Sequence, residues 1–389
     1  MKILLVTDQF YEANNGLTIS IRRFAGVLRS HGHDVRILAY GVPEYLSDGE
    51  TAYLMGKITV PIFDGLISSQ GMTFAKPDDE VIEKAVKWAD VVHITSPFIL
   101  SHHVIMIAKR LGVPFTAAFH VQPENISSSI HMGKIGFINS CIYHWFHFYI
   151  YKHCRRIHCP SKFIASELEK HGYRENLYVI SNGIDPDFVY RKIDKTEKFK
   201  DKFVILMIGR MSIEKRQDVL INAVAQSKYA DKIQLVLAGK GPRLKKLKAL
   251  SDKVLPNKVK IRFFNKPDLM DMIAMSDLYV HAADMEIEAM SCMEAFASGL
   301  VPIIANSKKS ATPQFALDER SLFKAGDPDD LAKKIDYWYE HEQERREMEH
   351  KYAESAKKYN LEGCVSAAEE MFMAEIKDCE DITENVTAE

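Results

Sequence analysis

The sequence predicts an α/β protein of two doubly wound domains, each a largely parallel sheet with helices on both faces. Three observations carry this. Short, nearly continuous apolar runs alternate with helical stripes, the pattern of strands buried on both sides. The alternation restarts after a turn-rich segment near residue 180. The chain has 389 residues, beyond the roughly 150 that one core usually organises. With 47% hydrophobic and 27% charged residues it can bury sizeable cores, which excludes a disordered chain, a collagen and a polytopic membrane protein.

Residues 3–6 form the first apolar run, the loop through Asn14, Asn15 and Gly16 follows, and Ile19, Phe24, Val27 and Leu28 make a helical stripe. Residues 35–39 and 91–94 read as strands, 100–111 as a helix and 114–119 as another strand. The second series begins near Val179, where turn residues Asn182 to Pro186 lead to the Lys-rich stretch 191–202, read as the linker. Five apolar runs follow, at 203–208, 233–238, 259–264, 278–282 and 301–304. From Asp329 the composition is helical, with Leu331, Ile335 and Trp338 on one stripe, and the acidic end from Glu380 is expected to fray. The expected domains are 1–185 and 186–363, with a last helix, 364–389, packing back on the first.

Lys and Arg (51) nearly balance Asp and Glu (53), so no global field draws nucleic acid, and no nucleic-acid partner is expected. The six cysteines form no C-x-x-C pair and no zinc spacing, which suits thiols in a reducing cytosol. The apolar run before Asp8 is too short for a signal peptide, so residence is expected to be cytoplasmic, including the inner face of the cell membrane.

In doubly wound sheets ligands bind outside the carboxyl ends of the strands, so facing domains would enclose a cleft lined by strand-end loops. Two loops carry chemistry. After 203–208 come Gly209, Arg210 and Lys215, cations placed to neutralise a diphosphate. After 278–282 come Glu286 and Glu294, separated by seven residues, with a helix expected to start near Ala289. Its first N–H groups, at Met290 and Ser291, could hold a phosphate and Glu294 a ribose. Each loop alone would pass for surface charge or a helix start complementing its dipole. Two together favour a site. His120, ending the strand 114–119, reads as an active-site or strand-capping histidine, and Gly16 as a close backbone approach or a turn.

Gly209-Arg210-(four residues)-Lys215, Gly239-Lys240-Gly241-Pro242, the pair Glu286 and Glu294, and Gly299-Leu300-Val301-Pro302 follow in this order. Asn182-Gly183-Ile184-Asp185 precedes them at the junction. In these residues the chain resembles the glycosyltransferase family 4 enzymes of the GT-B fold. The resemblance implies transfer of a hexose, glucose being the leading expectation, from a UDP-sugar with retention at the anomeric carbon. It implies that Arg210 and Lys215 grip the diphosphate, Glu294 the ribose and Glu286 a donor-sugar hydroxyl, with Met290 and Ser291 completing the phosphate cradle. His120 would stand near the sugar and Gly16 beside the diphosphate or acceptor. It implies no metal and no cofactor besides the donor; the Asp185-Pro186-Asp187 pair is assigned to a turn. Where the family commonly has Gly-Phe-Gly, this chain has Ile287-Glu288-Ala289, which places a third carboxylate by the diphosphate unless it points elsewhere.

The segment 135–156 is dense in aromatics and ends in Lys152, His153, Arg155 and Arg156. It suits an anionic membrane surface or, alternatively, a buried helix with a basic end. The membrane reading favours a lipid acceptor, with the family's bacterial diacylglycerol glucosyltransferases as the nearest class. The alternatives are a glycan acceptor such as a cell-surface polysaccharide, an epimerase on the same architecture, and a non-catalytic nucleotide-sugar binder. A nicotinamide dehydrogenase ranks last, because the first strand-helix turn has no G-x-G-x-x-G.

Overall fold

The computed structural model describes residues 1–11, 16–46, 51–58, 73–129 and 136–388; Asn14, Asn15 and Ile135 lie outside them. It divides into two units, 1–183 with 361–389, and 184–360.

The first unit contains β1 (Lys2–Gln9), β2 (Asp34–Tyr40), β3 (Ala52–Lys57), β4 (Ala75–Lys76), β5 (Val91–Ile94), β6 (Phe115–Ala118), β7 (Arg156–Cys159) and β8 (Asn176–Val179). Their order across the sheet is β4-β3-β2-β1-β5-β6-β7-β8, parallel except where β3 meets β4. Ile3, Leu5 and Ile37 pack against Ile21, Ala25 and Leu28 of the helix Gly16–Ser30, and against Val365, Met371 and Phe372 of the helix Leu361–Ala388. Burying a side chain such as Phe372 contributes about 1.5–3 kcal/mol, so this last helix is part of the core it covers. The helix runs to Ala388, past the expected fraying point, because its first four turns are anchored.

Two polar clusters add to that anchorage. Glu369 accepts from His31 at 2.7 Å and His33 at 2.8 Å. Arg156 reaches Glu375 Oε2 and Asp378 Oδ2, each at 2.6 Å. At the chain crossing, Gly183 has φ +75°, and a Cβ there would lie 2.7 Å from Leu361 Cα, so only glycine fits.

The second unit contains β9 (Phe203–Ile208), β10 (Ile233–Ala238), β11 (Lys260–Arg262), β12 (Leu278–His281), β13 (Met285–Glu286), β14 (Pro302–Asn306), β15 (Lys309–Ser310) and β16 (Leu322–Lys324). Six form a parallel sheet in the order β11-β10-β9-β12-β14-β16, while β13 and β15 pair separately. The stretch 191–202, expected as the linker, lies inside this unit: Lys192 pairs with Glu349 at 3.0 Å and Lys195 with Asp277 at 2.5 Å. Lys192 and Lys195 are anchors to distant acids, which composition cannot reveal. The Asp185/Asp187 turn is closed by Asp187 N–H donating to Asp185 Oδ1, and Lys266 Nζ bridges the two carboxylates at 2.7 and 2.6 Å.

Glu375 is 3% exposed; burial raises its carboxyl pKa and the bond from Arg156 opposes that. Arg156→Ala would strand this acid in the core and should cost about 3 kcal/mol in urea unfolding, whereas Arg156→Met with Glu375→Met should recover most of the loss. Equal losses in the single and double variants would contradict the pairing.

Candidate active site

In the second unit the loops after β9 and β10 are fastened backbone to backbone. Met211 N–H donates to Lys240 C=O at 2.8 Å, and Arg243 N–H to Met211 C=O at 3.0 Å. A Cβ on Gly241 would lie 2.5 Å from Met211 O, so the approach requires glycine. This seam fixes Arg210 and Lys215 at the sheet's carboxyl edge. Arg210 keeps a partly exposed guanidinium, 3.2 Å from Glu214 Oε1. Lys215 turns inward and pairs with Glu286.

Glu286 is held from three sides. Its strand β13 pairs with β15, its C=O accepts from Ala311 N–H at 2.8 Å, and His281 Nε2 lies 3.1 Å from its carboxylate. An ionised carboxylate can only accept, so Nε2 carries a proton towards it, and His281 Nδ1 lies 3.2 Å from the Tyr279 hydroxyl. Tyr279 OH also lies 3.3 Å from Ser291 Oγ, which donates to Ile208 C=O. Thus Lys215, Glu286, His281, Tyr279 and Ser291 form one chain of contacts from the loop after β9 to the first turn of the helix Met290–Ala297. Burial is the largest influence on Glu286 and raises its pKa; the Lys215 charge and the His281 bond overcome it and hold the carboxyl at about 2.

Ala289 caps that helix with φ +69° and supplies no side-chain acceptor to its first turn. A left-handed alanine costs roughly 1–2 kcal/mol, at a position where the resembled family commonly has glycine. Glu288 and Glu294 are both buried in the second unit, at 3% and 8% exposure. The third carboxylate of the variant loop is therefore packed inside the protein.

The structure thus brings Lys215, Glu286 and Ser291 into one network, with Arg210 and Met290 adjoining in sequence and Glu294 further along the helix. Gly16 and His120 belong to the first unit. Gly16 opens the helix Gly16–Ser30, and a Cβ there would meet nothing within 4 Å among the described residues. His120 follows β6, its ring 5.2 Å from that of His158 in a T-shaped contact. Burial, then the nearby His158 and His93, push its pKa well below the usual imidazole value. Sequence reading missed His281 and Tyr279 as partners in this network, and their signal was a histidine inside the otherwise apolar strand β12.

Two family models match the chain: "Glycosyltransferase Family 4" over residues 14–188 and "Glycosyl transferases group 1" over residues 190–359. A GDP-mannose-dependent alpha-mannosyltransferase of Corynebacterium glutamicum is 24% identical, across 78% of this chain and 72% of that protein. An alpha-monoglucosyldiacylglycerol synthase of Streptococcus pneumoniae is 25% identical, across 79% and 71%. The catalytic domain of a cholesterol-alpha-glucosyltransferase from Helicobacter pylori is 51% identical over 41% of this chain and 99% of its own, with a TM-score of 0.40. The structure of Anabaena HepE in complex with UDP and glucose matches 96% of this chain and 100% of its own at a TM-score of 0.73 and 16% identity. A glycosyltransferase of the GT-B fold is thus the class that fold and sequence define, and the chain belongs to glycosyltransferase family 4.

Glu286 has a folded pKa of about 2, below its ordinary 4.5, so it contributes stability above pH 4.5 that is lost as the pH falls towards 2. Unfolding free energy should decline across that window, and Glu286→Gln should flatten the decline. An identical pH slope in both proteins would refute the pairing.

Proposed function

We propose that the chain is a retaining, metal-independent hexosyltransferase that moves glucose from a UDP-sugar to a membrane diacylglycerol. The observation that carries this reading is the ionised Glu286 carboxylate held between Lys215 and His281, placed beside a helix start that has no side-chain cap. Such a helix start suits a phosphate, and a carboxylate held ionised at pH 7 suits a sugar hydroxyl. Arg210 and Lys215 neutralise the diphosphate as it leaves, the work a divalent metal does in other transferases. Met290 and Ser291 contribute backbone N–H groups, Glu294 receives the ribose, and Gly16 and His120 belong to the acceptor side. The leaving diphosphate takes the acceptor's proton on the face it departs from, so the reaction needs no enzyme nucleophile.

The pneumococcal relative's name supports a lipid acceptor, as does the helix Gly136–Tyr149. That helix buries Asn139, Tyr143 and Phe146 and leaves Phe137 (78%), Trp145 (49%) and Phe148 (66%) exposed on one face. Lys152 lies 3.4 Å from the centre of the Phe148 ring, and Arg155 is part-exposed nearby. Aromatics flanked by cations suit peripheral docking on an anionic bilayer. Among the described residues no helix is long and apolar enough to cross a membrane. The mannosyltransferase relatives favour GDP-mannose as a second donor reading.

The assignment is tested by nucleotide release from UDP-glucose, other UDP-hexoses and GDP-mannose, with diacylglycerol or a sterol, two membrane alcohols of different shape, in mixed micelles. Release from UDP-glucose that depends on diacylglycerol is expected; release from GDP-mannose alone would replace the donor, and release without lipid would replace the acceptor. Arg210→Ala should lower turnover by about 10²-fold or more with the fold intact, and near-normal turnover would sink its role. Glu294→Ala should weaken donor binding in calorimetry. Replacing Phe137, Trp145 and Phe148 by Ser should reduce co-sedimentation with anionic vesicles while leaving turnover of a short-chain acceptor in detergent unchanged.

A further inference from the structure

Among the described residues, two besides glycine have left-handed backbones: Ala289, at the helix start of the candidate site, and Arg216, with φ +52° and ψ +37°. Arg216 comes directly after Lys215, where the loop after β9 turns into the helix Gln217–Gln226, and its side chain does not cap that helix. A Cβ makes this conformation costly, whereas glycine adopts it freely. Such strain persists where the surrounding contacts over-determine it.

Those contacts run across loops. Arg216 Nη1 donates to Asp284 Oδ2 at 2.8 Å. Asp284 stands two residues before Glu286, so the Arg216–Asp284 pair runs beside the Lys215–Glu286 pair between the same two loops. Asp284 N–H also donates to Glu214 C=O at 2.8 Å, and Ser307 Oγ to Asp284 C=O at 2.6 Å. Three successive residues, Glu214, Lys215 and Arg216, thus each grip the loop after β12. On its other side Arg216 Nε lies 3.6 Å from Asp218 Oδ2, and Asp218 Oδ1 accepts from Arg243 Nη1 at 3.0 Å. Arg243 follows β10, so a row of alternating charges, Asp284, Arg216, Asp218 and Arg243, ties the loops after β9, β10 and β12 together. Arg216, Asp284 and Asp218 are all partly exposed, and ion pairs of that kind add little to stability. What the row supplies is geometry.

We propose that Arg216 is a positioning residue for the transfer reaction: by holding Asp284 it sets the spacing between Lys215, the cation for the diphosphate, and Glu286, the carboxylate for the donor sugar. The inference rests on the roles given to Lys215 and Glu286 in the transferase reading. Without the clamp the loop after β12 keeps its backbone bond to Glu214 and loses the second point that stops it pivoting there. Two groups that act on one donor tolerate little displacement, since about 1 Å of misplacement can cost up to about 10²-fold in rate.

The test uses Arg216→Gly, which keeps the left-handed turn and deletes the guanidinium, and Asp284→Asn, which removes the charge at the other end. Each should lower kcat for sugar transfer roughly 10-fold while UDP affinity in calorimetry stays within about 2-fold, and the double variant should be no slower than the slower single one. Arg216→Lys, which offers Asp284 a cation without the guanidinium fork, should restore part of the rate. A second readout needs no turnover. Glu286→Gln should change the acid slope of unfolding less in the Arg216→Gly protein than in the unaltered one, because a less firmly placed Lys215 depresses the Glu286 carboxyl less. Unchanged kcat in both single variants, or independent losses that multiply in the double variant, would overturn the proposal. UDP affinity lost in Arg216→Gly and kept in Asp284→Asn would also overturn it, because Arg216 would then be a direct ligand of the diphosphate. If the unaltered protein turns over no nucleotide-sugar, the transferase reading falls, and the acid slopes still decide: a smaller effect of Glu286→Gln in the Arg216→Gly protein supports the clamp, and an equal effect refutes it.

Discussion

A carboxylate removed from water survives as an anion only where cations and N–H donors replace the lost hydration, and Glu286 is the residue around which the second unit meets that condition. Lys215 supplies the charge, His281 the directed donor and the β13–β15 pair the fixed backbone. Each of these is held by something further out. Lys215 needs the seam between the loops after β9 and β10, and His281 needs Tyr279 to satisfy its second nitrogen. The site is organised before any ligand arrives, so little reorganisation remains when a charged one binds.

The two units solve opposite electrostatic problems. The second gathers ionised groups and keeps them charged by pairing. The first gathers three histidines, His93, His120 and His158, and keeps them neutral through burial.

Much of the architecture was legible because it is local. Apolar runs such as 203–208 and 233–238 are strands in the structure with the same bounds, since a buried parallel strand leaves no other pattern. The strand-end cations and acids were legible because topology alone says where ligands bind. What escaped depends on distant partners. The lysines at 192 and 195 read as a solvated linker until their acids, Glu349 and Asp277, appear far along the chain. Lys266 between Asp185 and Asp187 is invisible for the same reason. His281 was hidden by the opposite error, because a polar residue inside the apolar run 278–282 was counted as part of the core, and His158 lies in a strand, β7, that the sequence reading did not assign. The left-handed Ala289 could not be read at all, since alanine carries no mark of that conformation.

The first unit is written in two pieces, 1–183 and 361–389, on either side of an uninterrupted second unit. During synthesis the ribosome therefore completes the second core first. The earlier sheet must wait, with Ile3, Leu5 and Leu28 lacking the Val365, Met371 and Phe372 side chains that cover them, until the last helix emerges. For the time needed to translate the intervening 177 residues, its apolar face is open to chaperones or to a neighbouring nascent chain. A stop codon or frameshift between residues 360 and 371 would leave a finished second unit attached to a sheet without its cover, so this late stretch of the message acts as the quality check on the early part.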